Sequence, residues 1–224
     1  MNESSGFDIN AVINDAKRVL LQPANFYHDM SKAGGYTEPL IYVVVMGFVA
    51  GVLATLTSIM GGGMRFGAGA GLFAVILLPI VAVASSFISG TVMFVIWKLM
   101  GSGESFETGW RCVAYSMVMF PIMMVLQWIP YLGSIAGVVI IIWLMINAST
   151  EVHSIERKKA QLVLGVLGLF MALGNISSER AARKWEEHME RYGEQFKQLE
   201  NMSPEEAGEA VGEFLKGIEK ATKE

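Results

Sequence analysis

The 224-residue chain is 53% hydrophobic and 17% charged, with 17 Lys and Arg against 21 Asp and Glu, giving a net charge of -4. Its charges gather at the ends and between long apolar runs, which excludes an ordinary water-soluble globule, and no basic patch with interleaved aromatics offers a nucleic-acid surface. The single cysteine, Cys112, excludes an intrachain disulfide.

Residues 1–37 form an N-terminal segment. Asp8 is placed to cap a helix whose Ile9, Val12, Ile13, Ala16, Val19 and Leu20 share one face. Such a helix either lies along the bilayer surface or docks on the underside of a bundle. Pro23 ends it, and Phe26 and Tyr27 are expected to anchor at the headgroups. No short apolar core with a small-residue cleavage site appears, so the segment is expected to be retained.

Residues 38–176 form the membrane domain. Runs at 39–60, 71–100, 108–129, 131–149 and 160–176 are apolar. About 20 such residues at about 1.5 Å rise each match the hydrocarbon thickness of a bilayer. The fold class is therefore all-α, a five-span polytopic membrane protein. The second run is long enough to tilt, kink near Pro79 or project beyond the bilayer, and Pro121 interrupts the third. An uncharged turn around Trp128 to Tyr131 closes a tight hairpin with its aromatics at the interface. The glycines from Gly61 to Gly71 lack a Gly-Lys-Ser/Thr ending and read as a flexible turn between the first two spans.

Gly47 and Gly51, and Gly133 and Gly137, are four residues apart, which puts each pair on one helix face where another backbone can approach. Packing within the bundle is favoured over dimerisation. Ser85, Ser86, Ser89, Gln127 and Asn147 are the polar groups available for a transport path. The competing reading bonds the hydroxyls back to their own helix. Glu151, His153 and Glu156 have metal-ligating side chains, yet an i, i+2 pair does not share a helix face and no second histidine motif accompanies it. No catalytic residue, metal or cofactor is expected.

Lys32 before the first span, Lys98 and Arg111 around the second loop, and Arg157, Lys158 and Lys159 before the fifth span are expected on the cytoplasmic side. The N-terminus is then inside and, after five crossings, the C-terminus outside. Arg180, Arg183 and Lys184 oppose this, and an interfacial fifth segment would return the tail to the cytoplasm.

Pro23-x-x-Phe26-Tyr27, Ala114-Tyr115-Ser116 with Pro121, Ile129-Pro130 with Gly133, and Glu151-Val152-His153-Ser154-Ile155 before Lys159-Ala160 stand in that order. Over residues 15–176 this arrangement resembles a bacterial Yip domain, of the family named for interaction with Ypt/Rab GTPases. The resemblance implies five spans, a cytoplasmic N-terminus and, for eukaryotic members, a non-enzymatic part in membrane organisation or trafficking, and the expected location is the bacterial inner membrane. The long N-terminal extension of the family is lacking, so a GTPase partner is not carried over.

Residues 177–224 form a helical tail. Ala182, Trp185, Met189, Tyr192, Phe196 and Leu199 follow three- and four-residue steps, the spacing of an apolar seam, and a second helix is expected from Ser203. The seam would meet the second helix, another protomer, an unidentified protein or lipid. The functional expectation is an oligomeric membrane scaffold, with an oligomeric channel or small-solute or lipid transporter as the alternative and a metal-dependent membrane enzyme behind it.

Overall fold

The computed structural model describes residues 8–59, 67–126, 128–129, 131–200 and 212. Eight described helices succeed one another: α1 (Ile9–Leu21), α2 (Pro23–Asp29), α3 (Thr37–Ile59), α4 (Gly67–Leu99), α5 (Phe106–Ser116), α6 (Met119–Leu126), α7 (Leu132–Glu151) and α8 (Arg157–Glu200). Among the described residues, five helical stretches are long and apolar enough to cross a membrane: Thr37–Thr57, Phe73–Leu99, Phe106–Leu126, Leu132–Glu151 and Arg157–Trp185. The protein is all-α. The chain divides into two compact units, Met1–Ile176 and Ser177–Glu224.

In the first unit, Asp8 caps α1 by accepting a 2.8 Å hydrogen bond from the Asn10 amide. Val12 and Val19, two turns apart, are buried against the bundle, while Ile9 and Ile13 stay exposed. Pro23 does more than end α1, because its preset φ and missing amide proton suit the first position of a helix, and α2 starts there. Phe26 and Tyr27 do not anchor at the headgroups as expected. Both are buried, Phe26 edge-on to Tyr115 with centroids 5.0 Å apart and Tyr27 donating its hydroxyl to the Cys112 carbonyl at 3.3 Å.

Helices α3 and α4 meet backbone to backbone. A Cβ built on Gly47 would lie 2.5 Å from the Pro79 Cα, and one on Gly51 would lie 2.7 Å from both the Ala74 carbonyl oxygen and the Val75 Cα. Ala50, Ala54, Ala74 and Ala82 are buried around them. Lipid supplies no hydrophobic drive between helices, so such backbone contact is a main source of attraction. Pro79 lies inside α4, which also starts at Gly67, within the glycine run expected to be a turn.

The third span breaks earlier than its proline. In an uninterrupted α-helix the ring of Pro121 would clash with the carbonyl four residues back, that of Met117. The chain accordingly switches at Met117 and Val118 to tighter bonds onto Ala114 and Tyr115, and Pro121 takes the third position of α6. Gly137 in α7 faces the side chain of Met123 in α6, and Gly133 is buried near the start of α7. Ala160 and Leu164 of α8 are buried, and Gly168 faces Ile142 of α7.

The described part of the second unit includes the α8 residues 177–200, among which Ser177, Ser178 and Glu179 present neither a proline nor a glycine. The apolar stretch, expected to stop at 176, falls within Arg157–Trp185. The helix expected from Ser203 lies outside the described residues.

Candidate functional site

A cluster of polar residues of the first unit lies at one end of the bundle, where α1, α2 and the connections 30–36, 100–105 and 152–156 meet. Gly101, with φ +97°, ends α4 and lets the Ser102 amide bond back to the Trp97 carbonyl at 2.9 Å. That turn carries Ser102 to His153, with 2.7 Å between its Oγ and Nδ1. The Trp97 ring stacks on His153 with centroids 4.0 Å apart and donates its Nε1 proton to Ser149 Oγ at 2.7 Å. Lys32 ties three connections together: its Nζ reaches Glu104 at 2.7 Å and the Val152 carbonyl at 2.9 Å, and its carbonyl accepts from Thr108 Oγ1. Lys159 donates to the Met100 carbonyl.

Burial drives the His153 pKa down to about 4 from an ordinary 6.5; the Glu104 carboxylate opposes the shift, and Lys32 and Lys98 add to it. The imidazole is neutral in the folded protein at neutral pH. Because the folded value is the lower one, the unfolded chain binds the proton more tightly, so this contribution to stability is complete above pH 6.5 and is lost as pH falls through 4. The thermal midpoint should drop between pH 6.5 and 4.5, and His153→Gln should flatten that drop. An unchanged slope in the variant would contradict the assignment.

Beside this cluster lies a cavity of about 140 Å³ lined by Asp15 and Arg18 of α1, Phe26 and Asp29 of α2, Met30, Ser31, Glu38 of α3, and Arg111 and Tyr115 of α5. Arg111 is 2% exposed although it carries a full charge. Its Nη1 donates to the Gly35 carbonyl at 2.8 Å and its Nη2 to Glu38 at 3.4 Å, while its Nε is buried with no hydrogen-bond partner among the described residues. Gly35 takes φ +81°, which presents its carbonyl to Arg111 and its amide to Glu107 at 2.7 Å. Arg18 pairs with Asp29 at 2.6 Å and lies over the Phe26 ring. Half-buried Asp15 has its carboxyl pKa raised by burial and by Glu38, with Arg18 opposing.

The residues singled out for transport do not converge on this cavity. Ser85 donates to the Ala82 carbonyl, and buried Ser86 donates to that of Val83 while accepting from Trp110 Nε1. Asn147 donates to the Trp143 carbonyl at 2.7 Å. Ser89 is half-buried on α4, and Gln127 lies outside the described residues. Glu151 sits 3.6 Å from His28, whereas His153 faces Ser102 and Glu156 is exposed. Among the described residues, no group of three or more His, Cys, Asp or Glu is placed to hold a metal ion.

Several segments that carried the resemblance meet at this end: Phe26 and Tyr27 with Tyr115 and Cys112, and His153 with the end of α4. Residues 17–177 match the Yip1 domain. The chain belongs to the Yip1 family. This Yip1 protein matches no curated protein and no solved structure. The match is to the Yip1 domain as a whole and lends no support to the bacterial branch expected from the motifs. The Yip1 family is not known as an enzyme family. The cavity residues Asp15, Arg18, Glu38 and Arg111 were not singled out as a site in the sequence. Their signal was Arg111, a lone guanidinium beside Trp110, Cys112 and Val113 in an apolar run.

Proposed function

We propose that this Yip1 protein is a non-enzymatic membrane scaffold that associates with further copies of itself through α8 beyond residue 176. The observation that carries this reading is the exposure of Trp185 and Met189, 70% and 57% respectively, one turn apart on that helix. Trp185 closes the apolar stretch Arg157–Trp185 and Met189 lies beyond it, where an exposed apolar side chain loses favourable burial. Ala182 precedes Trp185 by three residues, and Tyr192, Phe196 and Leu199 continue the alternating three- and four-residue steps in the sequence. The well-packed end of the first unit, tied together by Lys32 and Trp97, supports a rigid base for such a scaffold.

The same proposal places the N-terminal segment in the cytoplasm, supported by Lys32, Lys98, Arg157, Lys158 and Lys159 flanking the spans. Five crossings then put the end of α8 on the other side.

A disulfide test addresses the association. With Cys112→Ser in place, Ala182→Cys should form intermolecular disulfides in native membranes under mild oxidation, and Glu179→Cys, one position off the seam register, should form far fewer. Equal yields at both positions would argue against a specific seam.

A further inference from the structure

We propose that the cavity between α1, α2, α3 and α5 is a receptor for a phosphoethanolamine-type zwitterion, with Arg111 facing its phosphate oxyanion and Asp15 its primary ammonium. The polar groups around the cavity are largely paired: Arg18 with Asp29, and the two terminal nitrogens of Arg111 with Gly35 and Glu38. The Nε of Arg111 is buried with no hydrogen-bond partner among the described residues, and the half-buried carboxyl of Asp15 lines the same cavity. Leaving a buried charged donor unpaired costs more than a lost neutral hydrogen bond, so Arg111 keeps one unmet donor beside the cavity.

The charge pattern selects the ligand. Two guanidiniums and three carboxylates line the cavity. A simple anion would satisfy the Arg111 Nε but meet the surplus of carboxylates, and a simple cation would suit Asp15 but leave that Nε unmet. A molecule carrying both charges satisfies both. The volume, roughly that of four to five liquid waters, suits a headgroup and is well below the space a drug-sized solute takes. A quaternary ammonium would call for a free aromatic cage, but the Phe26 ring already has Arg18 at 5.7 Å and Tyr115 at its edge. A primary ammonium, donating hydrogen bonds to carboxylates, fits what remains. Glu38 opens α3 and Arg111 lies in the second turn of α5, about 7 to 8 Å from its start, so the cavity sits at the depth where phospholipid headgroups lie.

This inference is independent of the association through α8. It is tested by native mass spectrometry of the full chain released from nanodiscs of equal phosphatidylethanolamine, phosphatidylcholine and phosphatidylglycerol. The wild type should retain phosphatidylethanolamine in preference to the other two, and Asp15→Asn, which keeps the side-chain shape, should reduce that preference by about tenfold. Arg111→Lys, which keeps the charge but lacks Nε, should weaken retention as well. In detergent free of this lipid, glycerophosphoethanolamine should raise the unfolding temperature of the wild type and not of Asp15→Asn. Binding of the soluble headgroup without retention of the lipid would support the same site and make a soluble molecule its source. Equal retention of all three lipids together with no effect of the soluble headgroup would overturn the proposal, as would an undiminished response in Asp15→Asn.

Discussion

Gly51→Leu should unfold the bundle under conditions in which the wild type is stable. Even a single added carbon at this position would lie 2.7 Å from the Ala74 carbonyl oxygen and the Val75 Cα, which are backbone atoms with no rotamer to change. Gly51→Ala should therefore already cost about 1 to 3 kcal/mol, the range for overpacking a close seam. Leucine adds three more carbons and separates α3 from α4, removing the contacts of Ala50, Ala54, Ala74 and Ala82 with their neighbours. Thermal or denaturant unfolding of the purified protein in micelles should show the order wild type, alanine, leucine. A leucine variant as stable as the wild type would mean that this seam does not hold the helices together.

Trp97→Ala should destabilise the first unit by about 3 to 5 kcal/mol, the usual cost of truncating a buried tryptophan. Trp97 is completely buried two residues before the end of α4, with His153 stacked on its ring, Ser149 accepting from its Nε1 and Gly109 against its edge. The change opens a cavity at the point where α4, α5, α7 and the 152–156 connection meet. Trp97→Phe separates the two contributions, since it keeps much of the ring volume and removes the hydrogen bond to Ser149, worth about 1 kcal/mol. Unfolding measurements should place the phenylalanine variant between the wild type and alanine. If phenylalanine and alanine were equally destabilising, packing of the ring would not be what Trp97 contributes.

The five apolar helices were legible because their lengths and compositions answer directly to bilayer thickness. The spacing of Gly47 and Gly51 pointed to a face of close approach, but a single helix pattern carries no information about which neighbour fills it, and the Pro79 backbone was visible only in the fold. Phe26 and Tyr27 illustrate a second limit. An aromatic pair just before a span has the composition of an interfacial anchor, and only the docking of α1 and α2 shows that both rings are interior. The break in the third span was displaced from Pro121 to Met117 because the steric conflict falls one turn before the ring. The cavity was hidden most deeply, since positions 15–18, 26–38 and 111–115 are far apart in sequence and Arg111 lies near a span edge, where a flanking charge is the ordinary reading.

The central claim, that this Yip1 protein is a scaffold assembled through α8, is tested most directly by the mass of the intact protein in lipid nanodiscs. The wild type should be a defined oligomer, and the double variant Trp185→Glu with Met189→Glu should be a monomer with an unchanged helical spectrum. A monomeric wild type, or an oligomer whose mass is the same in both proteins, would contradict it.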